Sequence, residues 1–429
     1  MKAKILLWCG ISILVVGVAA AVWWLQRPQA ITFGDDSKVT LAGKDYGKRH
    51  TPPASKGSAR RGSFTTTGDM LVLWFRQQYD PKQWHNFQYF LYDKSGTACV
   101  GSSGLNYGNR GRQGDELIGV EFSAFPRRQA KFLVGVQENS NGSQEIADRK
   151  FVVSNPARAA FANWTAEPLP ATKEDEDLAV TLTRLVFGAD TTYNRNQDNP
   201  DDPINKGVEA RFQVQRGGKP VNNWQPVSVE TSDATGNHIN GWCNTQWNGN
   251  DGTTTYQWGL WSDELAWKLK FEFSQQSDFA DNELWTVQNL PLQPGHMQDF
   301  WNYGTRRSQT NAPVAEAEVN GVHLRIFPAK RFTDMSPNSQ PQGGLTIQAD
   351  GALPEGMRLT LVKLTDDQTN DVGYWESGSS RVNKTTLYRY QLRDLFGITN
   401  LSVTCALHKS RFVEFTAKPE KAAATEPKP

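Results

Sequence analysis

Five tryptophans crowd one stretch of the chain: Trp242, Trp247, Trp258, Trp261 and Trp267, with Tyr256 among them. An exposed indole can stack against the face of a pyranose ring, because the sugar's C–H groups meet the negative face of the π system. Asn244, Gln246, Asn248, Asn250 and Asp251 lie in the same stretch and could hydrogen-bond sugar hydroxyls. Asn248-Gly249 and Asp251-Gly252 are turn dipeptides and place this segment at a hairpin tip. Trp258 and Trp267 sit in strand-like segments and are expected to point into a core. Trp242 and Trp247 sit in a polar loop and are the candidate exposed platforms, with Asn248 and Asp251 as candidate ligand-binding partners.

A second constellation is the run Asp190–Asp202, rich in Asn and Asp, where Asn194, Asn196 and Asp198 alternate as calcium-loop ligands do. The position that needs Gly is Asn199, followed by Pro200, and no bidentate Glu stands downstream, so an EF-hand is excluded and only a loose Ca²⁺ loop remains conceivable. Lys48-Arg49-His50 and Arg60-Arg61 form a basic stretch without an acid, the kind that anionic headgroups attract. The six histidines are His50, His85, His238, His296, His323 and His408, and none is paired at metal-ligand spacing. There is no nucleophile elbow, phosphate loop, dinucleotide fingerprint or HExxH motif. No catalytic residue, cofactor site or firm metal site is therefore expected.

The elements that position these residues are β-strands. The chain has 429 residues, 15 of them Trp, and 46 basic against 45 acidic groups. That balance gives no electrostatic reason to expect a nucleic-acid partner. Apart from Cys9, the cysteines are Cys99, Cys243 and Cys405, an odd number without CxxC spacing. They read as inert thiols rather than as a disulfide framework.

One pattern recurs three times. Val39–Tyr46, Val180–Phe187 and Val322–Phe327 alternate apolar and polar residues at the period of a half-buried strand. Each is followed by a long polar loop and then by a second strand: Met70–Phe75, Val208–Val214 and Leu345–Ala349. Third strands follow at Phe87–Tyr92, Pro226–Glu230 and Leu359–Leu364, each ending in an Asp-, Asn- or Gly-bearing turn. Fourth and fifth strands are Leu117–Phe122 and Ala130–Gln137, Thr255–Trp261 and Trp267–Phe273, Leu387–Leu392 and Leu401–Leu407. Lys150–Val153, Glu283–Gln288 and Arg411–Thr416 close the three units, which recur at roughly 140 residues. The expected fold is all-β, with three tandem antiparallel β-sandwich domains of six to seven strands at residues 31–156, 178–292 and 316–417. Residues 157–177 and 293–315 are expected to be linkers, the second with an aromatic segment around Phe300 and Trp301, and 418–429 a disordered tail.

Residues 1–30 carry the address. Ile5–Leu25 is uncharged and about 30 Å long as a helix, enough to span a bilayer. Lys2 and Lys4 precede it, and Trp23 and Trp24 stand at its far end, where an aromatic belt belongs. The positive-inside rule orients the N-terminus to the cytoplasm and the body outside. Ala19-Ala20-Ala21 offers the alternative of a cleaved signal and a secreted or periplasmic body.

In this organisation the chain resembles bacterial single-span surface proteins built of tandem immunoglobulin-like or fibronectin-III-like sandwiches, which have no assigned activity. The Cys…Trp…Cys signature of true immunoglobulin domains is absent, so the resemblance is one of organisation. It implies a membrane-anchored, non-catalytic binding or structural module of the cell envelope. Its partners would be the lipid bilayer and an envelope protein or polysaccharide. The alternative is a carbohydrate-binding or carbohydrate-active protein that uses the exposed tryptophans of the second unit.

Overall fold

The computed structural model describes residues 29–53, 63–83, 85–92, 98–101, 103–105, 114–140, 143–157, 159–190, 206–247, 253–257, 259–301, 312–334, 340–382 and 385–422. The apolar segment Ile5–Leu25, with Trp23 and Trp24, lies outside them, as do the loop residues Asn194, Asn196 and Asp198. Among the described residues no helix is long and apolar enough to cross a membrane. The described chain is all-β and almost wholly antiparallel.

Sheet A runs in the order Ala30–Thr32, Lys38–His50, Phe64–Gln78, Asp115–Phe122, Ser103–Leu105. Sheet B runs Phe151–Ser154, Lys131–Ser140, His85–Tyr92, Ala98–Gly101, with Ser143–Ile146 also on Lys131–Ser140. Sheet C runs Ala171–Asp175, Leu178–Asp190, Lys206–Arg216, Thr253–Gln257, Asn244–Trp247, with Lys219–Pro220 also on Lys206–Arg216 and Glu420–Lys421, expected in a disordered tail, paired in parallel with Leu178–Asp190. Sheet D runs His238–Trp242, Trp224–Asp233, Trp267–Gln275, Arg411–Ala417. The rest of the chain forms a nine-stranded sheet, E, whose strand Leu284–Gly295 pairs with Asn400–Lys409 along its first part and with Ala329–Phe332 along its last. The pairing is irregular between Val287 and Leu290, and Asn289 there has φ 55°, so the strand bends and serves both halves of the sheet.

A common plan underlies the three assemblies. The first, second and fourth strands of each repeat hydrogen-bond as one group, and the third and fifth as another. The sixth strand departs from chain order. In the first assembly Phe151–Ser154 closes its own sheet on Lys131–Ser140. After the second assembly's Trp267–Gln275, the next strand, Leu284–Gly295, pairs with Asn400–Lys409 of the third. The strand after that, Arg411–Ala417, returns to pair with Trp267–Gln275. Glu283–Gln288 and Arg411–Thr416, read in sequence as the closing strands of the second and third units, have thus changed places. Alternation specifies which face of a strand is buried and leaves its neighbour open. Both strands carry the pattern that either site accepts.

Packing follows the alternation. In Trp267–Gln275 the side chains of Trp267, Leu269, Phe271 and Phe273 are buried, while Lys268, Lys270 and Glu272 face outward. In the returning strand Val413, Phe415 and Ala417 are buried and Phe412 and Glu414 are exposed. Phe212 of sheet C meets Phe271 edge-on at 4.8 Å, Phe273 at 5.3 Å and Phe415 at 6.4 Å. A single buried cluster joins sheets A to D and includes Val413, Phe415 and Ala417, and a separate cluster fills sheet E.

Other expectations shift. Ala171–Asp175, read as linker, is a strand paired with Leu178–Asp190 through a turn at Glu176, whose φ is 55°. Phe300, expected in a linker, is buried in a short helix, Met297–Trp301, against Phe332 at 5.5 Å, while the neighbouring Trp301 is exposed. His50 is fully buried with Nδ1 3.7 Å from Asp45, so it contributes nothing to an exposed basic patch. Cys405 is a free thiol, and burial pushes it up to about 12.

If Arg411–Ala417 is a core strand of sheet D, Phe415→Ala lowers stability by about 3–5 kcal/mol, the usual cost of deleting a buried ring. The outward-facing Phe412→Ala costs about 1 kcal/mol or less. Denaturant titration followed by tryptophan fluorescence checks both; equal effects would remove the strand from the core.

Candidate ligand-binding face

The site is built from the outward side chains of sheet D. Strands with a period of two send alternate residues to one face, and register then aligns them in rows across the sheet. One row reads Trp242, Ser228, Glu272, Phe412; the next Asn240, Glu230, Lys270, Glu414; the third His238, Ser232, Lys268, Thr416. With strands about 4.8 Å apart, Trp242 and Phe412 stand roughly 14 Å from each other on the face.

Trp242 is 62% exposed and Phe412 36%, both unusual for rings of their size. Trp242 lies on the edge strand His238–Trp242, where the chain turns through Cys243 into sheet C. Phe412 is supplied by the strand that returns from the end of the chain, and the Lys270 ammonium sits 5.2 Å from its ring centre. Polar groups between the rings are held in place. The Ser228 hydroxyl donates to Glu272 Oε2 at 2.7 Å, and the Ser410 hydroxyl donates to Glu272 Oε1 at 2.8 Å. Lys268 lies 3.6 Å from Glu414, with Trp164 under its ammonium at 5.1 Å. The result is a sheet surface with an aromatic at each end of one row and carboxylates, amines, an amide and hydroxyls around them. Such a surface can stack and hydrogen-bond a polyhydroxylated ligand.

The sequence-predicted residues separate. Trp242 lies in an edge strand of sheet D and not in a loop. Trp247 lies in Asn244–Trp247, an edge strand of sheet C paired with Thr253–Gln257, so the two do not share a face of one sheet. Asn248 and Asp251 fall outside the described residues, as does Trp258. Trp267 is buried as expected, and Trp261 is buried with it. Phe412, Trp164 and the charged rows are not marked by any sequence motif. Alternation in Arg411–Thr416 already marks Phe412 and Glu414 as outward, but nothing local assigns them to the sheet that carries Trp242.

A cavity of about 400 Å³ lies near the junction of the first and second assemblies, lined by Pro126, Arg128, Gln129, Ala130, Lys131, Trp261, Asp263 and Glu264. Its acids are engaged. Glu264 is 2.9 Å from Arg128, and Asp263 is 3.4 Å from Lys421. Burial raises the Glu264 carboxyl above its ordinary range, against the pull of Arg128. The lining contains no Ser, Cys or His. Below it, Arg127 and Asn237 tie the two assemblies: the Arg127 Nε–H donates to Asn237 Oδ1 at 3.0 Å, and Asn237 Nδ2 donates to the Phe125 carbonyl at 2.9 Å.

Trp242→Ala is expected to change folding stability by no more than about 0.5 kcal/mol, since its ring is mostly in solvent. Trp267→Ala is expected to cost about 3–5 kcal/mol. Paired denaturation curves test the contrast, and a large loss from Trp242→Ala would mean the ring is packed and unavailable to a ligand. Compared with protein-family models and with curated proteins, the chain matches none.

Proposed function

We propose that the protein is a non-catalytic binding module of the cell envelope, tethered to the membrane by Ile5–Leu25, whose extracytoplasmic body holds a polysaccharide on the outer face of sheet D. The observation that carries the reading is the 62% exposure of Trp242 at the end of a row of polar groups that closes on a second exposed ring. A ring kept in water at the edge of a well-packed sheet costs hydrophobic free energy that burial against a ligand would recover. The polar rows match a ligand that presents hydroxyls on both sides of an apolar ring face. Repetition of one sandwich pattern suits spacer and binding modules, and the apolar N-terminal segment supplies the tether and its orientation.

The test uses the full-length chain in detergent. An excised second unit would lack Arg411–Ala417 and lose an edge of sheet D. Envelope polysaccharides and a glycan array are probed with the native protein, Trp242→Ala and Phe412→Ala. Saturable binding that weakens about tenfold in each variant, the loss of roughly 1.4 kcal/mol of ring contact, is the expected result. Binding that ignores both substitutions rejects the face. Protease accessibility of the body in intact spheroplasts checks the topology; a protected body rejects the extracytoplasmic assignment.

A further inference from the structure

Three donor side chains from distant parts of the first assembly meet at one point. Asp35 lies in the turn that joins Ala30–Thr32 to Lys38–His50 of sheet A. His85 opens the strand His85–Tyr92 of sheet B, and Glu138 lies in its neighbour Lys131–Ser140, directly across from Phe87. Their ligating atoms all fall within 4.8 Å of one another. His85 Nδ1 is 2.7 Å from Glu138 Oε1 and 3.6 Å from Asp35 Oδ2. The side chains of His85 and Glu138 are 1% and 2% exposed, that of Asp35 28%.

The balance of charge at this point is incomplete. Two carboxylates converge on one imidazole nitrogen, and that nitrogen holds at most one proton. Among the described residues neither Asp35 nor Glu138 forms an ion pair with a Lys or Arg. Among the described residues Glu138 otherwise accepts only from the neutral Ser37 hydroxyl, at 2.8 Å. A further acid, Glu145, is registered opposite Glu138 and accepts from the Gly34 amide at 3.0 Å. A carboxylate buried to this depth needs a cation or a full set of donors. Around the imidazole the walls are aromatic, with the Tyr79 ring at 5.0 Å and Phe87 at 6.2 Å, which fix its orientation but offer no second charge.

We infer that Asp35, His85 and Glu138 form a binding site for a divalent first-row transition cation such as Zn²⁺, with His85 Nδ1 and one oxygen of each carboxylate as its ligands. One imidazole with two carboxylates is a donor set that such ions accept. In a tetrahedral zinc site neighbouring donor atoms stand about 3.3 Å apart, between the 2.7 and 3.6 Å found here, so small side-chain shifts suffice. Ser37, hydrogen-bonded to Glu138, would orient a ligand from the outer shell. The ion would pin the hairpin turn of sheet A to two strands of sheet B and so brace the open end of the first sandwich. Sequence spacing hides the site because its ligands come from three separate stretches.

The experiment uses the full-length chain stripped with EDTA, and the metal alone as probe. Zn²⁺ titrated calorimetrically should bind one equivalent with Kd below about 10 µM, and saturation should raise the Tm by roughly 3 °C or more. Co²⁺ should give visible absorption bands from an imidazole–carboxylate environment. Asp35→Asn keeps the oxygen that accepts from the Ser37 amide and should leave the metal-free Tm unchanged, while it weakens Zn²⁺ binding at least tenfold. His85→Ala should weaken it further. No saturable binding up to millimolar Zn²⁺ overturns the inference. So does binding that survives unchanged in Asp35→Asn, which would assign the ion to other residues.

Discussion

The backbone pairing of Arg411–Ala417 with Trp267–Phe273 is the interaction on which the rest of the structure depends. It closes sheet D, carries Val413 and Phe415 into the core shared with Phe212 and Phe271, and obliges the chain to cross between assemblies twice. The first crossing leads from Trp267–Gln275 into Leu284–Gly295, and the second passes through Ser410 alone. Ser410 is buried, its amide donating to the Gly356 carbonyl on one side and its hydroxyl to Glu272 on the other. A reciprocal exchange of this kind makes neither assembly complete without the other. Strand pairing and a buried aromatic cluster, rather than a linker, then set their coupling.

Electrostatics reinforce the crossing. Arg411 stands 2.8 Å from Glu176, Lys409 lies beside the same carboxylate, and the Phe412 amide donates to Asp175 at 2.8 Å. Hydrogen bonding from Lys409 and the charge of Arg411 hold Glu176 below the ordinary carboxylate range. With Glu176 half exposed to solvent, these pairs are screened and contribute little each. Their role is positional, fixing the register with which the returning strand enters sheet D. That register places Phe412 in the same row as Trp242, so the surface proposed to bind a ligand is completed by the returning strand.

Much of this was legible in the amino-acid sequence. Alternation in Trp267–Phe273 and in Arg411–Thr416 identifies the strands and their inward residues, because period two is a direct record of burial. Exposure of Trp242 follows from its polar neighbours. What stayed hidden has a common cause. Pairing partners across more than a hundred residues leave no local trace, so sequence order alone assigns the exchanged strands to the wrong assemblies and separates Phe412 from Trp242. The same holds for Asp35, His85 and Glu138, which only the stacking of sheet A's turn on sheet B unites. Phe300 illustrates a different failure: its place between repeats reads as linker, whereas its ring packs on Phe332.

Residue-resolved hydrogen exchange measures the reciprocal exchange most directly. If it is correct, amides of Arg411–Ala417 exchange in one cooperative unit with Trp267–Phe273, and those of Leu284–Val287 exchange with Asn400–Lys409. Protection of Arg411–Ala417 that instead rises and falls with Asn400–Lys409, independently of Trp267–Phe273, would contradict the account.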